Sequence, residues 1–334
     1  MQQRTLGQQG LKTAALGLGT MGMTMAYGAA DEEGGIATIH RAHELGVTLI
    51  DTAELYGGGS GTNEQLVGRA VKDFRDEMVI ATKFGFVLPR SEDMKRYFDS
   101  RPDHIREVTD NSLRYLGTDH IDVLYQHRVD PDVEIEDVAS AVKELIDAGK
   151  VRFFGLSEAG PDIIRRAHAV QPLSVLQTEY SIFERAVEAE ILPLLRELGI
   201  GFVPYSPLGR GFLTGEVRPA SEYPNDDMRS WDERWQPGNY ERNVEAVQSL
   251  RKLADEKGIE VTQLALAWLL AQGPDVVPIP GSRRPDRIAE NAAAAQVQLS
   301  PADLERLASA LPRSGWAGDR RSFAAPVTTR ADAG

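Results

Sequence analysis

Short apolar runs that alternate with stretches of helical periodicity constrain this chain more than any other feature. Strand-like runs lie at 14–18, 47–50, 78–81, 121–125, 151–156, 173–177, 200–204 and 276–279. Helical spacing occupies 34–45, 62–72, 103–116, 137–148, 161–170, 186–198, 240–271 and 285–294. Strands alternating with helices predict a parallel sheet covered by helices, and eight such units close an α/β (β/α)8 TIM barrel more naturally than an open sheet. Before the first unit, Arg4-Thr5-Leu6 and Leu11-Lys12-Thr13 flank the Gly-bounded turn Gly7 to Gly10, which predicts an N-terminal β-hairpin closing the barrel floor. A length of 334 residues suits one barrel domain over 1–323, with 324–334 expected to be a disordered tail.

Composition removes several kinds of function. A net charge of −13 argues against a nucleic-acid partner, because phosphate binding needs a basic face. Cysteine is absent, so disulfides, thiolate metal sites and a cysteine nucleophile are excluded. The polar start and the lack of ~18 uninterrupted apolar residues predict a cytoplasmic protein with no membrane partner. Neither monomer nor homo-oligomer is favoured. Metal binding is not expected: His40 and His43 are three apart on a helix, but no third ligand pattern accompanies them.

Polar residues at the carboxyl ends of barrel strands converge on one rim. Asp51 follows the apolar run ending at Ile50, Lys83 the run ending at Ala81, and His127 the run ending at Tyr125. Tyr56 lies just beyond Asp51. A free phenol is a poor acid at neutral pH unless a neighbouring cation stabilises its phenolate. Lys83 is expected to supply that charge, Asp51 to hold the ammonium, and His127 to orient a carbonyl oxygen for protonation by Tyr56. The blander alternative is a buried Asp–Lys pair with a tyrosine hydrogen-bonded nearby.

The stretch Gly17-Leu18-Gly19-Thr20-Met21-Gly22 matches G-x-G-x-x-G, yet Met23 to Asp31 reads as loop where a dinucleotide fold needs a helix at once. Gly19, Thr20 and Met21 are therefore expected to bring rim backbone close to a ligand instead. The eighth strand runs into Gly281-Ser282-Arg283-Arg284-Pro285 with Arg287 beyond, a turn entering a helix beside three arginines. That combination predicts an anion site, phosphate above all. Tyr205 to Gly211 adds further backbone donors and a ring able to stack on a flat cofactor.

Long rim loops over 85–102 and 209–239 carry Phe86, Tyr97, Phe98, Trp231 and Trp235, and the tail carries Trp316 and Phe323. Such aromatics either line an apolar substrate pocket or only anchor the loops. Tyr27, Phe84 and Trp231 are the candidate substrate contacts.

Asp51-Thr52-Ala53 with Tyr56-Gly57, then Thr82-Lys83, His127, and Ile279-Pro280-Gly281-Ser282 with Arg287 and Glu290-Asn291, resemble the aldo-keto reductases in order and spacing. Gly155-Leu156-Ser157-Glu158 and His127-Arg128 look like the microbial and plant branch that includes pyridoxal and perakine reductases. The resemblance implies an NADPH/NADP-dependent oxidoreductase that reduces the carbonyl of a small aldehyde or ketone, with Tyr56 as general acid tuned by Lys83 and Asp51. It implies that Ser157, Glu158 and Gln177 meet the nicotinamide carboxamide and that Tyr205 stacks on its ring. Ser206, Pro207, Leu208, Gly209 and Gly211 would cover the pyrophosphate, Ser282, Arg283 and Arg287, beside Gly281, would hold the 2′-phosphate, and Glu290 and Asn291 would contact adenine. Glu158 stands where many members have Asn, and Gly281 where a Lys often meets the 2′-phosphate, which leaves NADH as the less favoured alternative. A redox-sensing regulatory subunit with little turnover and a barrel enzyme acting on a sugar phosphate are the competing readings.

Overall fold

The computed structural model describes residues 1–87, 97–310 and 315–320. Seven parallel strands follow one another in sequence order around a barrel: β3 (Gly17–Gly19), β4 (Leu49–Asp51), β5 (Val79–Phe84), β6 (Ile121–Gln126), β7 (Val151–Ser157), β8 (Leu173–Glu179) and β9 (Gly201–Tyr205). The hairpin of β1 (Gln3–Leu6) and β2 (Leu11–Ala14) precedes them. The fold is the (β/α)8 barrel that the alternation predicts.

The eighth expected strand is present but irregular. Val277 and Ile279 donate to the carbonyls of Phe202 and Pro204 in β9, while the carbonyls of Pro278 and Pro280 accept from Gly17 and Gly19 in β3. This segment therefore joins the first barrel strand to the last. The two prolines sit at alternate positions facing β3 and have no N–H to return, so one side of the ladder keeps only half its bonds.

Side chains alternate between two cores. Leu49, Ala81, Val123, Tyr125, Val175, Val203, Val277 and Ile279 fill the barrel interior together with Leu6 and Leu11 of the hairpin, which plugs the floor as expected. Ile50, Ile80, Phe84, Leu124, Leu156, Leu176 and Phe202 face outward into the larger core beneath the helices. Phe84 is fully buried there, so it cannot be the substrate contact expected of it. Its neighbour Lys83 takes the inward position instead.

The helical segment expected over 240–271 is two helices, Asn239–Lys257 and Val261–Leu270. Gly258 ends the first at φ +66°, and the Gln263 side chain accepts from the Glu260 N–H at 3.1 Å to start the second. A final helix, Pro301–Ala310, was not expected. The loop over 209–239 is held in short 3-10 turns, with Trp235 buried and Trp231 exposed. Trp316 is buried against Phe183 and Phe212, at ring-centroid distances of 4.4 and 5.1 Å. Phe323 and the expected tail over 324–334 lie outside the described residues.

Gly155 faces the barrel interior, where a Cβ would stand 2.5 Å from the Tyr125 ring and 2.9 Å from Val175. Gly155→Ala is expected to lower stability by about 1–3 kcal/mol through overpacking. A urea midpoint equal to that of wild type would show that the interior has room to spare.

Candidate active site

Continuing the inward alternation past the interior core reaches the rim. Leu49 leads to Asp51, Ala81 to Lys83, Tyr125 to His127, Gly155 to Ser157, Val175 to Gln177 and Val203 to Tyr205. In-register pairing sets Asp51 beside Gly19 and Ala81, Lys83 beside Tyr125, and Ser157 beside Gln177. The sequence-predicted group is thus assembled at one end of the barrel.

Lys83 is fully buried, and its Nζ donates to Asp51 Oδ1 at 2.5 Å, the Thr52 carbonyl at 2.7 Å and the Tyr56 hydroxyl at 3.3 Å. Gln177 Nε2 donates to the other Asp51 oxygen at 2.7 Å. Behind this chain, Asn63 accepts from Thr20 and Thr52, each at 2.6 Å, and donates to the Thr20 carbonyl. The His127 ring meets Tyr56 edge-on at 5.9 Å and Phe86 edge-on at 5.0 Å.

Burial, then the Asp51 carboxylate, push the Tyr56 phenol well above its usual value, and Arg128 draws it back down. Burial lowers the Lys83 ammonium, an effect opposed by Asp51. Burial, with Arg128 and Lys83, holds the His127 imidazole far below its usual range, so it is neutral at physiological pH.

A cavity of about 940 Å³ opens above these groups and runs along the rim to the eighth-strand turn. Asp51, Tyr56, His127, Ser157, Gln177 and Tyr205 form one end, with Tyr27, Phe86 and Trp231 beside them. Gly19, Met21, Ser206, Pro207, Leu208 and Gly211 line the middle, and Gly281, Ser282, Arg283, Arg287, Glu290 and Asn291 the far end. Thr20, Glu158 and Gly209 are not on this wall. Thr20 is buried on Asn63, and a Cβ on Gly209 would meet the Trp316 ring at 2.4 Å. Glu158 accepts from Arg320 at 2.5 Å and from the Glu179 N–H at 3.1 Å, so its carboxylate is turned into the protein.

At the far end the arginines are unequally committed. Arg284 pairs with Asp286 at 2.7 Å and Arg287 with Glu216 and Glu290, whereas Arg283 donates to the Ala29 carbonyl at 2.8 Å and has no carboxylate partner among the described residues. The helix Pro285–Ala293 begins at this turn without a side-chain cap on Arg284, and the Asp286 and Arg287 N–H groups turn to the Asp286 carboxylate.

Sequence reasoning passed over several residues. Arg128 entered only as part of a resemblance. Arg210 pairs with Asp232 at 2.5 Å and Arg234 with Glu179 at 2.6 Å, fastening the 209–239 loop to the tip of β8. Arg320 reaches Glu158, Glu179 and the Tyr205 hydroxyl from the tail. Each joins segments far apart in sequence, and no spacing announces it. Metal-ligating groupings are absent among the described residues.

The site is thus an ion-paired lysine, a tyrosine and a neutral histidine at one end of a long rim cleft on a (β/α)8 barrel. The pattern of the Aldo/keto reductase family matches residues 15–312, and the chain belongs to that family. It is 42% identical to a probable aldo-keto reductase 1 of Glycine max over 96% of this chain and 92% of that one. Among solved structures, a glycerol dehydrogenase from Gluconobacter oxydans superposes with a TM-score of 0.83 at 32% identity, covering 92% of this chain and 94% of that one. The holo form of an aldo-keto reductase from Bacillus halodurans gives 0.75 at 28% identity, covering 95% and 98%. Family membership carries carbonyl reduction by an oxidoreductase and use of a nicotinamide cofactor.

The depressed His127 sets a sign for pH dependence. Below about pH 6.5 the unfolded chain binds a proton at this position that the folded chain does not, so stability falls as pH drops from 6.5. Replacing His127 with Asn is expected to flatten the fall between pH 6.5 and 5 in urea titrations. An unchanged slope would mean that the folded imidazole titrates normally.

Proposed function

We propose that the protein is an NADPH-dependent reductase of aldehydes or ketones in which Tyr56 is the general acid. The observation that carries this reading is the hydrogen-bonded chain Gln177–Asp51–Lys83–Tyr56, buried at the base of a cleft whose far end holds Arg283.

The residues fit the cofactor on physical grounds. His127 Nδ1 is buried without a hydrogen-bond partner among the described residues, Gly19 and Gly281 leave the cleft wall free of side chains where the first and last barrel strands meet, and Arg283 offers a cation with no carboxylate partner. Ser157 and Gln177 would hold the carboxamide, with Tyr205 against the ring. Ser206, Pro207, Leu208 and Gly211 would cover the pyrophosphate. Ser282, Arg283 and Arg287 would hold the 2′-phosphate, and Glu290 and Asn291 the adenine. Arg283 supports NADPH over NADH. When bound, the nicotinamide supplies a hydride to the carbonyl carbon.

His127, held neutral, has one N–H to donate to the substrate oxygen and so orients the carbonyl. As the C=O π pair moves to oxygen, the Tyr56 O–H bond breaks and its proton forms the alcohol O–H. The phenolate is left 3.3 Å from the Lys83 ammonium and recovers a proton from solvent. Because burial and Asp51 raise the phenol, Tyr56 enters each cycle protonated and able to donate. Tyr27, Phe86 and Trp231 would face the substrate, a small carbonyl compound met in the cytoplasm by a monomer or homo-oligomer.

The test is aldehyde-dependent loss of NADPH absorbance across a panel of carbonyls, with NADH in parallel. Tyr56→Phe is expected to reduce kcat by about 10²–10⁴-fold while tryptophan fluorescence still reports NADPH binding. Undiminished turnover in that variant would remove Tyr56 from the mechanism.

A further inference from the structure

The segment 315–320 is a strap anchored at successive residues. Trp316 is buried against Phe183 and Phe212 and stands close over Gly209. Ala317 exchanges two hydrogen bonds with the buried Asn243 side chain: its N–H donates to Oδ1 at 2.8 Å and its carbonyl accepts from Nδ2 at 3.0 Å. Gly318, at φ +93°, approaches the 233–234 peptide so closely that a Cβ would stand 2.8 Å from the Glu233 carbonyl carbon. The Asp319 N–H donates to Glu233 Oε2 at 3.0 Å. Each residue from Trp316 to Asp319 is thus fastened to the body of the protein, and the next is Arg320.

Arg320 reaches the tips of three neighbouring strands. Its Nη2 donates to Glu158 Oε1 at 2.5 Å and to the Tyr205 hydroxyl at 3.0 Å, and its Nε stands 3.2 Å from Glu179 Oε2. Glu158 follows β7, Glu179 ends β8 and Tyr205 ends β9. Glu158, at φ +55°, and Ser206, next to Tyr205, at φ +48°, both hold the left-handed backbone that is costly for a residue with a Cβ. Such backbones persist only where the surroundings over-determine them. Arg320 holds Glu158 itself and the immediate neighbour of Ser206.

Ion pairing alone does not explain this arrangement. Glu179 already has Arg234 at 2.6 Å and Arg210 at 3.5 Å. The Tyr205 hydroxyl is neutral, so the bond to it balances no charge; it fixes a position. Tyr205 is half-buried on the cleft wall, and its hydroxyl is the end of the ring farthest from the backbone, so a donor there sets the direction in which the ring points. A guanidinium has the forked donors needed to hold carboxylate and hydroxyl at once.

We infer that Arg320 is a positioning residue for the cofactor: from the 315–320 strap it pins the Tyr205 hydroxyl and so fixes the ring against which the nicotinamide lies. The inference rests on the placement of the nicotinamide at Tyr205 in the proposed reductase.

The experiment measures NADPH dissociation constants, from the cofactor's own fluorescence, for wild type, Tyr205→Phe, Arg320→Met with Glu158→Gln, and the three changes combined. Glu158→Gln accompanies Arg320→Met so that no buried carboxylate loses its cation, Glu179 keeping Arg234. Tyr205→Phe keeps the ring and removes the atom that is pinned. Both the paired change and Tyr205→Phe are expected to weaken NADPH binding by about 3- to 10-fold, because a ring free to turn must be ordered when the cofactor binds. The combined protein is expected to bind no more weakly than either, since both remove the same contact. A cooperative urea transition shows that each variant is folded, and Tyr205→Phe, which loses one oxygen, carries the test should the paired change not fold. Wild-type NADPH affinity in Tyr205→Phe or in the folded paired variant overturns the inference, as does a combined loss equal to the product of the separate ones. A wild type that binds no NADPH would instead defeat the reductase reading itself.

Discussion

The contact between Lys83 and Asp51 is the interaction on which the rest of the site depends. Two charges taken out of water cost several kcal/mol each, and their attraction offsets this only if every remaining lone pair and proton is satisfied. Here the conditions are met closely. Lys83 spends its donors on Asp51, the Thr52 carbonyl and Tyr56, and Asp51 spends its second oxygen on Gln177. The set draws together β4, β5 and β8, and the register of the parallel sheet is what brings them level. A shift of one residue in any of these strands would turn its polar tip into the outer core.

The barrel was legible because its signal is repetitive. Alternating runs and helices predict both the sheet and its closure, and the hairpin plug follows from a turn between two apolar ends. The rim was legible for the same reason. Stepping by two from Leu49, Ala81 and Tyr125 lands on Asp51, Lys83 and His127, which is also why Phe84, one step from Lys83, had to fall in the outer core. Local chemistry was harder to read. The prolines of the eighth strand remove donors on one side only, and Gly258 breaks a helix whose apolar periodicity runs on past it. Arg234 and Arg320 were missed because a partner dozens of residues away has no local sequence signature.

The cleft is electrostatically divided. One end lies over the Lys83–Asp51 ion pair with the Arg128 guanidinium near it, while the far end has Arg283 beside the uncapped start of the helix Pro285–Ala293. In a chain of net charge −13, positive potential at these two places is a local construction and not a property of the surface. Glu158 illustrates the same economy. Expected at the nicotinamide, it is instead held at φ +55° and tied to Arg320, which links the C-terminal residues to the wall of the cleft through Tyr205.

The central claim is that Lys83 and Asp51 act as one unit, and a double-mutant cycle on folding stability tests it most directly. Lys83→Met alone and Asp51→Asn alone each leave one buried group without its partner, at an expected cost of about 3–5 kcal/mol. Together they are expected to cost less than the sum by a coupling of about 1–3 kcal/mol in urea denaturation. Additive losses would show that the two side chains stand in the barrel independently, and would contradict the account.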